Sequence, residues 1–385
     1  MSWQKIRLGD IAEFSNGVNF DKSAYSPGVQ LIAVSDFGDR NCPNYSELIE
    51  VSKEAVRGKD YLRDGDIVFV RSNGNKALVG RCMLIDKPPR PVTFSGFCIR
   101  ARLSNTDNWN PRFFMYYCKS DVFRKSISAS TSGTNIQNLN QKMLAEHIAT
   151  VPDIAVQNRI AAVLGTYDDL IDNCRRQIKL LEEAAQRLYR EWFVDMRFPG
   201  HEDVDFVDGL PEGWAKCRLS DFAEFRRGKV ITAKQTKPGT VPVVAGGLTP
   251  AYYHDASNTV APVITVSGSG ANAGYTALYG REIWASDCSF LDSEKTDYIY
   301  FVFLTVKVLG RGFKHLQRGS AQPHVYPSHI NELQFICPSC EALNEFEMLV
   351  ESMFKKVRVL EAMIEQLREA RDRLLPMLMS KEDVV

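Results

Sequence analysis

The sequence says nearly the same thing twice. Residues 3–18 read WQKIRLGDIAEFSNGV and residues 214–229 read WAKCRLSDFAEFRRGK, with nine of sixteen positions identical from Trp3/Trp214 to Gly17/Gly228. Internal repetition is read first because it fixes architecture. A period near half the chain is far too long for a solenoid, so the expectation is two copies of one domain. A second block agrees: GTNIQNLNQKMLAEHIATVP runs from Gly133 to Pro152, and GSAQPHVYPSHINELQFICP from Gly319 to Pro338. The first block recurs after 211 residues and the second after 186, so the ends of the copies stay in register while their interiors differ by 25. A kept scaffold with a varied interior suits two differently shaped reading heads.

Each repeated proline is followed by a helical pattern. Leu164, Tyr167, Ile171, Cys174, Ile178, Leu181, Ala185, Leu188 and Trp192 alternate spacings of three and four. So do Val350, Met353, Val357, Leu360, Ile364, Leu367, Arg371, Leu374 and Leu378, each 186 beyond its counterpart. A heptad seam sustained this long argues for a coiled coil. Asp153 is placed to cap the first helix, and about 40 residues at 1.5 Å each span roughly 60 Å. Arg371 interrupts the second seam, as a frayed turn or a face toward a partner. One chain with two such helices is expected to pack them antiparallel. The inter-helix seam then comprises Leu164, Ile171, Ile178, Leu181 and Leu188 against Val350, Val357, Leu360, Ile364, Leu367 and Leu374. Tyr189, Phe193, Met196, Phe198, Met377 and Met379 lie beyond it, for partner docking or for packing on a neighbouring head.

The globular parts read as mixed α/β, which makes the chain α+β overall. Leu31–Val34 and Ile67–Val70 are apolar runs, and Asp64-Gly65 signals a turn before the second. Ile99–Leu103 alternates as a half-exposed strand should. Pro111 suits the first turn of a helix through Phe113, Phe114 and Tyr117. The second copy repeats the order with Val241–Ala245, Ala261–Val266, Ile283–Ala285 and Tyr298–Val308. The expected parts are a first domain over 1–150, a long helix over 151–200, a linker over 201–213, a second domain over 214–340 and a long helix over 341–380. Phe198–Gly213 carries Pro, Gly and acids without periodicity, as a linker does.

Composition sets the remaining bounds. No stretch of 18 apolar residues exists, so no transmembrane helix is expected. The first residues have no apolar signal core, and nine scattered cysteines, an odd number, fit a reducing cytoplasm. The net charge is zero, but residues 1–150 carry +5 and residues 211–340 carry +3, while 151–200 carry −1, 201–210 carry −4 and 341–385 carry −3. Cations on the globular parts suit contact with phosphates, and anions on the helices suit contact with protein.

Four loops are candidates for that contact. Arg71, Ser72, Asn73, Asn75 and Lys76 form one in the first copy, and Thr131, Thr134, Asn135 and Gln137 another. Ser267, Ser269 and Asn272 form one in the second copy, and Arg318, Ser320, Gln322 and His324 another. Asn and Gln pair bidentately with adenine and Arg with guanine, and glycines between them let backbone N–H groups approach phosphate. The plain alternative is ordinary turns satisfied by water. Enzymatic signatures fall short. Asn110-Pro111-Arg112-Phe113 departs from the methyltransferase Asn-Pro-Pro-Phe pattern. Gly268, Gly270 and Gly274 lack nucleotide-loop spacing. Cys337 and Cys340 form a lone CxxC, and the six histidines form no metal pair. No cofactor, metal or catalytic residue is expected.

The run from Leu210 to Gly228, the Gly319–Pro323 segment, the proline before each long helix and the two-copy order resemble the specificity subunits of type I restriction–modification systems, across essentially the whole chain. The resemblance implies two target-recognition domains, two helices packed antiparallel, and a non-catalytic subunit. It implies two methyltransferase subunits as partners and two motor/nuclease subunits on further assembly. The target would be a two-part, asymmetric site on double-stranded DNA. Two other readings are a stand-alone DNA methyltransferase or nuclease with duplicated recognition domains, and a coiled-coil adaptor with no DNA role.

Overall fold

The computed structural model describes residues 3–72, 78–129, 138–310 and 324–380. It divides into two compact units: residues 1–173 with 364–385, and residues 174–363. The two long helices, Ile154–Phe193 and Cys340–Met379, each run from one unit into the other.

The strands of the first unit are β1 (Gln4–Arg7), β2 (Ala12–Asn16), β3 (Val29–Ile32), β4 (Ile49–Val51), β5 (Ile67–Val70), β6 (Cys82–Leu84), β7 (Val92–Phe94), β8 (Cys98–Leu103) and β9 (Ile148–Val151). They form a four-stranded sheet in the order β2-β8-β5-β6, a three-stranded sheet β4-β3-β7 and a β1-β9 pair. One face of the larger sheet, Ile67, Phe69, Ile99 and Ala101, packs on helix Pro111–Lys119 and on Val156, Ile160 and Leu164 of the first long helix. The other face, Val68, Val70 and Cys98, packs on Ile32, Val92 and Phe94 of the smaller sheet. The larger sheet is therefore covered on both sides. That overturns the half-exposed reading of Ile99–Leu103: Arg100 is 3% exposed, donating to the Lys59 carbonyl at 3.1 Å and pairing with Glu13 at 3.5 Å. Arg102 forks onto Asp66 at 2.7 and 2.6 Å.

In the second unit, Phe206–Val207 (β10) and Leu210–Pro211 (β11) make a small hairpin. The rest are β12 (Ala215–Arg218), β13 (Arg226–Arg227), β14 (Val241–Val244), β15 (Tyr252–His254), β16 (Val263–Ser267), β17 (Thr276–Tyr279), β18 (Trp284–Ala285), β19 (Cys288–Asp292) and β20 (Gln334–Cys337). Their orders are β13-β19-β16-β17, β15-β14-β18 and β12-β20. This is the first unit's topology again, including one parallel pair in each smaller sheet. The registers also coincide: Gln4 faces Val151 and Ala215 faces Cys337. The segment expected to be a linker contains this hairpin, and Phe198 is buried against Trp214 at 4.8 Å.

Local signals placed the helix ends. The Asn110 side chain accepts from the Phe113 amide at 2.9 Å with Pro111 in the first turn, and Asp153 accepts from the Val156 amide at 3.1 Å. Within the second unit, Trp192 and Tyr189 of the first long helix meet Phe346 near the start of the second, and Cys174 meets Met363. Within the first unit, the core containing Leu164 takes Leu374 and Leu378. In each unit the two helix segments run in opposite directions. Leu164, Ile171, Val350, Val357, Leu360 and Ile364 are buried, and Ile178, Leu181, Leu188, Leu367 and Leu374 are half-buried. Tyr189, Phe193 and Phe198 belong to the second unit's core and offer no docking surface, whereas Met377 is exposed.

Arg371 neither frays its turn nor faces away. Its Nη1 donates to Asp168 Oδ1 at 2.7 Å, with the two side chains 16% and 14% exposed. Asp168 also accepts from Asn41 and from the Tyr116 hydroxyl, and Lys119 donates to Asn41. This polar hub ties a loop, a short helix and both long helices within the first unit. The positions 186 away are Phe354 and Ala185, both buried and apolar, with Phe354 stacked on Tyr300 at 5.1 Å.

Arg371→Ala leaves Asp168 without its cation and is expected to destabilise the protein by about 3 kcal/mol in denaturant titration. Asp168→Phe with Arg371→Ala, copying the other unit, is expected to cost less than the sum of the two single changes. His147 supplies a pH signature. It is 7% exposed between Tyr117 and Ser126, and burial pushes its pKa down to about 4. Between pH 6.5 and about 4 the unfolded chain takes up a proton that the folded chain refuses, so stability falls as pH falls through that window. The loss approaches about 3 kcal/mol. His147→Leu, which copies Leu333 of the other unit, is expected to remove that part of the slope when urea midpoints at pH 7 and pH 4.5 are compared.

Candidate nucleic-acid interface

The repeated glycines identify one end of each larger sheet. A Cβ on Gly17 would lie 2.3 Å from the Ser95 carbonyl oxygen, and one on Gly228 would lie 2.3 Å from that of Ser286. No side chain fits such an approach. Gly17 N–H donates to the Cys98 carbonyl at 3.1 Å, and Gly228 N–H to that of Cys288 at 2.9 Å. The next amides, Val18 and Lys229, donate to Phe94 and Ala285. Each glycine thus clamps the end of the first sheet strand onto the turn that enters the neighbouring strand.

A third segment closes the same end. Leu139 N–H donates to the Arg71 carbonyl at 2.9 Å, and Val325 N–H donates to the Gly268 carbonyl at 2.9 Å. Leu139 and Val325 are 186 apart, so the backbone device is common to both copies. The side chains it presents are not. In the first unit Asn16, Arg71, Asn140, Gln141 and Lys142 line a shallow open depression, and Phe97, 56% exposed, stands beside the clamp. The Asn140 carboxamide oxygen caps a helix by accepting from Met143 N–H at 2.9 Å.

In the second unit the place of Asn16 is taken by Arg227 and that of Asn140 by Tyr326. Arg227 pairs with Asp287 at 2.7 Å and sits 5.9 Å from the Tyr326 ring. Asp287 also accepts from the Ser269 hydroxyl at 3.2 Å. His324 is exposed and stacks on Tyr326 at 5.9 Å, bridged through its backbone to Ser269. One edge therefore presents amides, a cation and a phenyl ring, and the other an oriented guanidinium with a phenol and an imidazole. Both offer donors and planar faces, the groups that meet base edges and phosphates.

Of the sequence candidates, Arg71, Ser269 and His324 lie at these edges, and Ser72 follows Arg71 in the chain. Asn272 donates to the Gly246 carbonyl at 3.4 Å, a neighbouring position. Ser267 is corrected: it is 3% exposed and its hydroxyl donates to the Gly246 carbonyl at 3.1 Å, so it faces inward. Asn73, Asn75, Lys76, Thr131, Thr134, Asn135, Gln137, Arg318, Ser320 and Gln322 lie outside the described residues. Asn16, Phe97, Asn140, Arg227, Asp287 and Tyr326 escaped the sequence reading. The available signal was positional, since Asn16 and Arg227 directly precede the repeated glycine. Among the described residues no cluster of His, Cys, Asp and Glu is placed to hold a metal ion. Burial pushes the Cys337 thiol up to about 11, away from the thiolate that a metal or redox role needs. No described helix is long and apolar enough to cross a membrane.

Comparison with known proteins gives the family. The family model described as "Type I restriction modification DNA specificity domain" matches residues 1–183 and 211–349. The MjaIX type I specificity subunit of Methanocaldococcus jannaschii is 24% identical over 295 residues, which cover 70% of this chain and 68% of that protein. The StySPI specificity subunit of Salmonella potsdam is 25% identical over 142 residues, covering 37% of this chain but only 30% of its own length. The crystal structure of a type I S subunit from M. genitalium aligns over 99% of this chain and 96% of that one, with a TM-score of 0.58 and 17% identity, a likeness of fold. With the family model matching most of its length in two segments, the chain belongs to the type I restriction modification DNA specificity domain family and carries that domain twice.

Proposed function

We propose that this chain is the DNA-recognition subunit of a type I restriction–modification complex, reading an asymmetric two-part site with one unit per part. The observation that carries this reading is the pair of sheet edges: one backbone clamp, built twice, presenting different side chains. A duplicated frame with unlike contents suits a target whose halves differ. The subunit is non-catalytic. The methyl transfer and the ATP-driven cleavage belong to two methyltransferase subunits and two motor/nuclease subunits that it carries. The long helices support that role, because Leu170 and Leu180 on the first and Val359 and Met363 on the second are exposed apolar side chains. Mapping methylated adenines in host DNA with and without the gene tests the assignment. A two-part motif that vanishes with the gene supports it, and an unchanged methylation pattern refutes it.

Continuous helices shared by both units would act as a ruler. Inserting four residues into Ile154–Phe193 adds about one turn, roughly 6 Å. The unread spacer between half-sites, at about 3.4 Å per base pair, is expected to change in length while both half-sites keep their sequence. An unchanged spacer rejects the ruler. Binding is also expected to weaken steeply with salt. Arg71→Ala is expected to lower the slope of log affinity against log salt by about 0.9 if its guanidinium neutralises one phosphate.

A further inference from the structure

We propose that Arg227 is the guanine-reading side chain of the second unit, held in its reading pose by Asp287. The inference rests on the DNA-recognition role above and assigns one of its contacts.

Arg227 ends a strand that pairs with β19, opposite Ser289, and the next residue is the clamped Gly228. Its backbone is therefore fixed on both sides. Asp287 stands on the turn entering β19 and divides its oxygens: Oδ1 takes Arg227 Nη2 at 2.7 Å, and Oδ2 takes the Ser269 hydroxyl at 3.2 Å. Tyr326 limits the guanidinium from a second direction, with its ring centre 5.9 Å from Cζ. An arginine carries five N–H donors in a planar fork, and one carboxylate oxygen engages one of them. The side chain is 48% exposed, so the rest of the fork is accessible while its plane is restrained.

A planar pair of donors held in one orientation matches the O6 and N7 acceptors of guanine in the major groove, a bidentate fit that no other base offers. An isolated surface ion pair would add little stability, so its consequence here is orientation. Preorganisation of this kind raises selectivity because the side-chain entropy is lost before binding. The first unit places Asn16 at the same position. An asparagine side chain pairs with adenine rather than guanine, so the two edges differ in chemistry at one equivalent point.

The test uses the whole chain, alone and co-expressed with a type I methyltransferase subunit. The probe is a pool of duplexes carrying two randomised blocks and a spacer of varied length, selected for binding and sequenced. The wild-type chain is expected to enrich a two-part motif with a guanine in one half, favoured roughly 10- to 100-fold over the other bases. Arg227→Ala is expected to flatten that single position and leave the other half unchanged. Asp287→Asn is expected to weaken the preference at the same position without moving the unfolding midpoint by more than about 2 °C. A uniform loss of affinity with every base preference intact would make Arg227 a phosphate contact and overturn the proposal. An unaltered motif in Arg227→Ala would overturn it as well. A wild-type chain that enriches no motif would instead reject the DNA-recognition role, a separate and distinguishable failure.

Discussion

The first unit is organised around one carboxylate. Asp168 sits on a long helix next to the seam residue Tyr167, and its side chain is largely withdrawn from water. A charge in that position persists only with a cation and further donors around it. Arg371 supplies the cation from the end of the second long helix, and Tyr116 and Asn41 supply the donors from a short helix and a loop. The returning helix is thereby held to the domain that begins the chain by a contact with strict geometric demands. The second unit meets the same packing problem with Phe354 stacked on Tyr300 and with Ala185. Equal positions in the two copies are thus filled by opposite chemistries.

The glycine clamp stands in the reverse relation. There the copies use the same device, because a Cβ on either Gly17 or Gly228 would collide with a serine carbonyl oxygen, although the turn from Ser95 to Cys98 is one residue longer than that from Ser286 to Cys288. The shared backbone device at the clamp fixes where the sheet ends, and side-chain freedom beside it sets what that end presents. Asn16 and Arg227, one residue before the glycines, show how a large change in hydrogen-bonding capacity fits without moving the chain. A recognition domain requires that separation between an invariant support and a variable surface.

Much of this is legible in the sequence. The caps Asn110 and Asp153, the proline at the start of a helix and the three–four spacing after each repeated proline act through neighbours close in sequence, so their effects are local. The failures share a cause. Ile99–Leu103 alternates like a half-exposed strand, yet a second sheet lies over its polar face and buries Arg100. Phe198–Gly213 has the composition of a linker, and composition does not reveal the small hairpin and the Phe198–Trp214 contact that it contains. Arg371 breaks a heptad on paper and completes an ion pair in space.

The sequence by itself determined that one domain occurs twice, that each copy leads into a long helix, and that the copies share ends and differ inside. These are properties of pattern and register, which a linear string carries in full. Only the tertiary structure decided which side chains meet. Asn16, Arg71, Phe97 and Asn140 come from four separate segments of the first copy, and Arg227, Ser269, Asp287 and Tyr326 from four of the second. Their convergence depends on strand order and on two backbone hydrogen bonds to Arg71 and Gly268. No spacing rule encodes such long-range closure, because it is set by the packing of sheets and helices rather than by neighbours along the chain.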